Sequence, residues 1–236
     1  MKDCHVTAVL NVYDEYESSK KCIDSFLKFY PNSPIIICGS KRDVVSKLAT
    51  EYKSTFNITQ QYIGPLHRIE EELFDVPRSQ IIRCIETQIE NLYHTFLRVE
   101  TEFLFFLHPD HRVKGKLNFN YAKMDMEISN TNLIEKRLKF LIEQKLGVRI
   151  GAKYGIWGYF KKNSIVSSLT YVIDNREFLS DLLELSNLFI YDDFLLPVVM
   201  NLLGYKVGNE YVTEELRRRN SIRRKFQSKL VHHVGV

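Results

Sequence analysis

No apolar run in these 236 residues approaches the roughly 20 that span a bilayer. Nor does any N-terminal stretch join a basic start, an apolar core and a small-residue cleavage site. A soluble chain is expected. Cysteine is scarce: Cys4, Cys22, Cys38 and Cys84 lie far apart, with neither the CxxC pairs of zinc sites nor the dense framework of secreted domains. They are expected as reduced core residues, and the setting as cytoplasmic. Internal repeats, low-complexity tracts and obvious interdomain linkers are also missing. What the chain does have is core material. A hydrophobic content of 44% with 12% aromatics suffices for one sizeable core.

One stretch lacks acid altogether. Arg217, Arg218, Arg219, Arg223, Arg224, Lys225 and Lys229 supply seven positive charges with no Asp or Glu between them, and taking those seven from the formal net charge of +4 leaves −3. A mildly acidic body with a basic C-terminal segment suits a phosphate-bearing ligand, an anionic membrane surface or nucleic acid. A solvated helix face is the plainer alternative.

The first half alternates strand and helix. Val6 to Val12 is an apolar strand, and Ser18 is the expected cap of a helix carrying Cys22, Ile23, Phe26, Leu27, Phe29 and Tyr30. Pro31 to Pro34 ends that helix. Ile35 to Cys38 forms a second strand closed by Gly39-Ser40, then comes a helix with Val44, Val45, Leu48 and Tyr52, and Phe56 to Ile63 makes a third strand. Ile82, Ile85, Ile89, Leu92 and Phe96 mark a long helix before the strand Phe103 to Leu107. This order predicts an α/β fold, a mainly parallel sheet with helices on both faces. Such sheets bind ligands outside the carboxyl ends of their strands. His108-Pro109-Asp110-His111 sits at one of those ends.

The second half is less regular. Leu133, Ile134, Leu138, Leu141 and Ile142 predict a helix, "GAKYGIWGYF" a loop lining a site, Ser164 to Ile173 a strand, and Arg176 to Leu185 a helix. "YDDFLLPVVMNLLGYKV" opens with two acids and continues as an apolar helix, in which Pro197 is tolerable only near the first turn.

Four segments, in order, carry a family likeness. "VTAVLNVYDEYESSKKCIDSFLKFYPNSPIIICGS", with Asn11-Val12-Tyr13-Asp14-Glu15 at the turn after the first strand, resembles the nucleotide-binding start of GT-A glycosyltransferases, particularly the large family 2 group. "FLFFLHPDHRV" is similar to the strand that leads into that family's Asp-x-Asp metal motif. "DDFLLPVVMNLLGYKV" resembles its later acidic segment, down to the interval before Gly204-Tyr205-Lys206, and "HHVG" its C-terminal His-x-x-Gly.

The resemblance implies a single GT-A, Rossmann-like catalytic domain over 1–236: a nucleotide-binding half at 1–113, an acceptor-side half at 114–215 and a basic tail at 216–236. It implies a metal-dependent, inverting transferase that moves a sugar from a nucleoside-diphosphate sugar, UDP-sugar by family frequency, to a hydroxyl of a glycan or other acceptor. Donor contacts would come from Asn11, Tyr13, Glu15, Gly39, Ser40 and His108. Asp110 and His232 would hold the divalent cation, Mn²⁺ or Mg²⁺, which offsets charge on the departing diphosphate. A carboxylate with an added imidazole favours Mn²⁺. Asp193 matches the general base for the acceptor hydroxyl, and Asp192 would position acceptor or donor hydroxyls. The basic tail offers peripheral membrane contact, and no specific nucleic acid is expected.

The sequence also departs from the family. His108 replaces the first acid of Asp-x-Asp. No acid ends the second strand, where Ile37-Cys38 precedes Gly39-Ser40, and Leu195 and Val199 replace a frequent Asp and Arg of polymer-forming members. Plainer roles stand beside the functional ones: Asp110 as a turn cap, Asp192-Asp193 as charge at a helix N-terminus, His232-His233 as tail, and Tyr13 and Trp157 as core aromatics. Two other functions fit parts of the pattern. His-Pro-Asp also resembles the zinc motif of PIG-L-type deacetylases, although there it follows the first strand. A non-catalytic nucleotide-, nucleic-acid- or membrane-binding module would use the basic tail alone.

Overall fold

Strand Val6–Asn11 (β1) is buried along its whole length, and its alternate side chains enter two separate cores. Val9 joins Ile36, Leu104 and Phe106 on one face of the sheet, while Ala8 and Leu10 join Ile35, Ile37, Phe103, Phe105 and Leu107 on the other. Burial on both faces is why these strands read as continuous apolar runs. The computed structural model describes residues 6–12, 15–59, 77–116, 124–128, 132–151, 153–154, 158–185, 192–208 and 213–215.

After β1 come α1 (Tyr16–Leu27), β2 (Ile35–Gly39), α2 (Arg42–Tyr52), β3 (Thr55–Ile58), α3 (Arg78–Leu97), β4 (Phe103–Leu107) and the short β5 (His111–Val113). The second half holds β6 (Met126–Ile128), β7 (Asn132–Leu133), α4 (Lys136–Leu146), β8 (Lys153–Tyr154), β9 (Gly158–Lys161), α5 (Lys162–Asp174), α6 (Arg176–Leu185), α7 (Asp192–Leu202), β10 (Val207–Gly208) and β11 (Thr213–Glu215). Among the described residues seven strands share one sheet in the order β10-β6-β9-β4-β1-β2-β3. β9 is antiparallel to both of its neighbours, and the other pairings are parallel. Helices α1 and α2 cover one face, and α3 to α7 pack over the other. The expected α/β fold, a mainly parallel sheet covered on both sides, is the one observed. Among the described residues no helix is long and apolar enough to cross a membrane.

The structure corrects several local expectations. Residues 164–173 are not a strand but most of α5. Ile165, Leu169 and Val172 are buried at helical spacing, and Ser164 and Ser168 fill the same face. β-branched composition suggested the wrong period, and packing against α3 and α7 decided it. "GAKYGIWGYF" is not simply a site-lining loop, because β9 lies inside the sheet with Tyr159 and Phe160 buried. Four residues beside glycines are too few to show a period. Ser18 lies within α1, whose N-cap is Glu15. There Ser19 donates both its amide and its hydroxyl to the Glu15 carbonyl, at 2.9 and 2.6 Å. Leu133 belongs to β7 rather than α4. Pro197 stands beyond the first turn of α7, and the amide it lacks would have reached back to the carbonyl of residue 193. Cys22, Cys38 and Cys84 are free and buried, as expected of core thiols, and Cys4 lies outside the described residues.

One carboxylate joins the far side of the sheet. Asp125 accepts from the Lys206 amide at 3.0 Å and the Ser164 hydroxyl at 3.1 Å, and its Oδ1 lies 3.3 Å from the Lys161 ammonium. Its own amide donates to the Lys206 carbonyl, and its carbonyl accepts from the Lys161 amide. The entries to β6, β10 and α5 therefore meet at one side chain. Burial opposes ionisation of this carboxyl, but the Lys206 amide, Ser164 and Lys161 outweigh it and hold the group below the ordinary carboxylate range. Asp125→Ala is expected to cost about 1.5–3 kcal/mol, the scale for hydrogen bonds to a charged group. Because the folded pKa is depressed, this contribution is full well above about pH 4 and fades as pH falls through the folded value. Urea denaturation of both proteins between neutral and acid pH checks this. A gap between them that stayed constant or widened in acid would contradict it.

Candidate active site

Parallel pairing brings the carboxyl ends of β1, β2 and β4 to one edge. In register, Asn11 stands beside Cys38, and Leu10 beside Leu107. Asn11, Gly39-Ser40 and His108 thus leave the sheet together. Asn11 is buried, with its Oδ1 3.8 Å from the Cys38 sulfur. The Cys38 thiol also points to the Leu10 carbonyl at 3.4 Å, and burial pushes its pKa up to about 12. It is an inert thiol at neutral pH.

Gly39 has a backbone reason to be glycine. A Cβ there would lie 2.2 Å from the Val12 carbonyl oxygen and 3.1 Å from Val45 Cγ2. The chain leaving β1 crosses directly over it, with the Val12 amide donating to the Cys38 carbonyl at 2.8 Å. Ser40 follows, half-buried, and Glu15 opens α1 on the neighbouring crossover.

After β4 the chain folds into a turn closed by the His111 amide donating to the His108 carbonyl at 2.9 Å. Inside it, His108 Nδ1 lies 2.5 Å from Asp110 Oδ1, and His111 Nε2 lies 3.8 Å from the same oxygen. The Arg112 guanidinium donates to the carbonyls of Pro109 and His111 at 2.8 and 2.5 Å and fastens the turn from below. Arg112 belongs to no motif, and its position directly after the histidine cluster is the one signal of this role in the sequence. Burial works against the charged form of Asp110, but the hydrogen bond and charge of His108, then the charge of His111, outweigh it and hold the carboxyl below its ordinary value. The side chains of His108 and Asp110 are 23% and 30% exposed, whereas His111 is 2% exposed.

His111 is locked by its strand. β5 pairs antiparallel with β11, setting Glu215 opposite His111, and the Val113 amide donates to Ser25 Oγ on α1 at 2.9 Å. Among the described residues no group of three or more His, Cys, Asp or Glu side chains is placed to hold a metal. Asp110 and His108 nevertheless offer a carboxylate and an imidazole side by side. Their facing atoms, Nδ1 and Oδ1, are already bound to each other.

The remaining expected residues are spread more widely. Asp192 and Asp193 open α7. Tyr13, Trp157, His232 and the basic segment Arg217 to Lys229 lie outside the described residues. Gly204-Tyr205-Lys206 has a local explanation. Gly204 adopts φ +80, and the Tyr205 and Gly204 amides donate to Met200 and Asn201, so the glycine stops α7 in a left-handed cap. The following Lys206 amide then reaches Asp125.

No protein-family model and no curated protein matches this sequence. Solved structures do. The glycosyltransferase GlyE of Streptococcus pneumoniae TIGR4 is similar over 88% of this chain and 45% of its own, with 12% identity and a TM-score of 0.45. S. aureus TarS 1-349 is similar over 87% of this chain and 58% of its own, with 10% identity and a TM-score of 0.42. The chain thus spans about half the length of the structures it matches. At these scores neither likeness carries an argument about activity.

The crossing at Gly39 yields a prediction. Gly39→Ala must push the Val12 carbonyl outward or strain it, at about 1–3 kcal/mol, the usual scale for overpacking. Denaturant midpoints for the variant and wild type measure it. Unaltered stability would mean that the crossing yields without cost.

Proposed function

We propose that the chain is a metal-dependent, inverting glycosyltransferase that moves a sugar from a nucleoside-diphosphate sugar, with UDP as the nucleotide, to a hydroxyl of a glycan acceptor. The observation carrying this reading is the shared edge where Asn11, Gly39 and the half-exposed His108–Asp110 pair leave three parallel strands. Ligands bind at such an edge. The four-segment sequence resemblance supplies the reaction.

In this reading Asn11, Tyr13, Glu15, Gly39, Ser40 and His108 surround the nucleotide and donor sugar. Asp110, joined by His232, holds a Mn²⁺ or Mg²⁺ ion, which when bound supplies charge compensation for the departing diphosphate. Asp193 takes the acceptor proton as the acceptor oxygen bonds to the anomeric carbon and the bond from that carbon to the diphosphate oxygen breaks. Attack from the face opposite the leaving group inverts the centre. Asp192 orients hydroxyls beside it. The basic segment from Arg217 follows β11 in the sequence, and its positive charge suits a diphosphate. An anionic membrane surface is a second use for the same charge, in a cytoplasmic protein.

The test uses the purified chain with a panel of nucleoside-diphosphate sugars, with and without Mn²⁺. Release of UDP from at least one UDP-sugar, dependent on the cation, is the expected result. The absence of both binding and turnover across the whole panel would remove the proposal. Asp193→Asn should lower turnover about 10²–10⁴-fold while donor affinity hardly changes. Asp192→Asn serves as the control. If both substitutions were mild and affected mainly stability, the pair would be reduced to charge at the start of α7.

A further inference from the structure

Helix α4 carries a phenylalanine where an amphipathic helix is expected to be polar. Leu138 and Ile142 are buried in the core, and at about 3.6 residues per turn the point of the helix farthest from both is position 140. Phe140 stands there, 58% exposed, more than any other large hydrophobic side chain among the described residues. Its neighbours on that face, a turn before and a turn after, are Lys136, Arg137 and Gln144, all exposed. The nearby acids are engaged elsewhere. Glu143 accepts from the Lys139 ammonium and from the Ile150 amide at 3.0 Å, while Asp181 and Glu184 of α6 lie 3.6 and 3.0 Å from the Lys145 ammonium. Glu135, exposed at the N-cap, is a further acid beside this face. Against it, α4 sets Lys136, Arg137, Lys139 and Lys145, with Glu143 as its own single acid.

A lone solvent-facing ring flanked by cations offers little to a protein partner, because the centre of a protein interface is a contiguous apolar patch built from several residues. The other large hydrophobics exposed among the described residues, Phe56, Ile58 and Leu97, belong to β3 and the end of α3. The same arrangement suits a bilayer surface, where one ring enters the boundary of headgroups and acyl chains and Lys and Arg meet lipid phosphates. We infer that α4 docks the protein on an anionic membrane surface, with Phe140 entering the interface and Lys136 and Arg137 on the headgroups beside it. The inference is independent of the transferase reading and of the segment from Arg217 to Lys229, and it gives the folded body a membrane-facing side of its own.

The test is flotation of the full chain with vesicles of phosphatidylcholine alone, or of phosphatidylcholine and phosphatidylglycerol in equal parts. The wild type should float with the anionic vesicles only and be released by high salt. Phe140→Gln should weaken that binding about tenfold, and Phe140→Trp should keep it, since an indole suits the interface at least as well. Replacing Lys136 and Arg137 together by glutamine should weaken it about 10–30-fold. Melting temperatures should stay at the wild-type value, because these side chains face solvent.

The basic residues from Arg217 to Lys229 are unchanged in every variant. Flotation undiminished by both Phe140→Gln and the double substitution would therefore belong to that segment and overturn the inference. Wild-type protein that ignored anionic vesicles would overturn it too. So would a change in the sedimentation of vesicle-free protein on Phe140→Gln, which would make Phe140 a contact between copies of the chain. If Phe140→Gln melts early, the double substitution decides alone, and undiminished flotation of that variant refutes docking by α4.

Discussion

The parallel pairing of β1 with β2 and β4 is the constraint on which the rest of the structure depends. Parallel strands must all end at the same edge, and the chain must cross back over a face between them, which requires helices. Those helices bury both faces, so Val9 and Leu10 can both be apolar although they point in opposite directions. Nothing charged is tolerated inside such a strand. Polar chemistry can emerge only past its end, which is why five buried residues from Phe103 to Leu107 run directly into His108-Pro109-Asp110-His111.

Backbone needs and ligand needs overlap at this edge. Gly39 lies at the edge proposed for the nucleotide, yet the Val12 carbonyl already forbids a side chain there. Gly204 ends α7 in a left-handed turn and passes the chain to Asp125, which accounts for much of the interval from the acidic pair to Gly-Tyr-Lys. Spacing in the second half therefore follows from helix length as well as chemistry. Side-chain geometry is most specific in the turn after β4, where His108, Asp110 and Arg112 are held by hydrogen bonds.

The sequence made the first half legible because strands buried on both faces are unbroken apolar runs, and the crossover helices show their faces plainly, as Ile85, Ile89, Leu92 and Phe96 do in α3. The second half hid its elements for separate reasons. α5 has a β-branched composition but a helical burial pattern, and β9 is four residues long and takes its place from β4 and β6 rather than from any pattern of its own. Ser18 has the residue type of a cap, but the N-cap of α1 is Glu15, three residues earlier. At the site, position was legible and contact was not. That a strand would end in His108 and Asp110 follows from sequence, whereas the closeness of residues two apart depends on the conformation of the turn, with Arg112 and β5 holding it in place.

The pairing of β5 with β11 also has a temporal side. Matching Val113 with Thr213 closes a loop of about a hundred residues, which is slow to form and late in any order that rewards local contacts first. A two-stranded ribbon has little stability alone, so β11 needs a finished α1 and β5 to dock on, with Ser25 already bound to the Val113 amide. During synthesis β4 and its turn exist long before residues 213–215 do. The strand carrying His111 therefore gains its partner among the last contacts of the fold, and the turn reaches its final rigidity only when both halves of the sequence have been made.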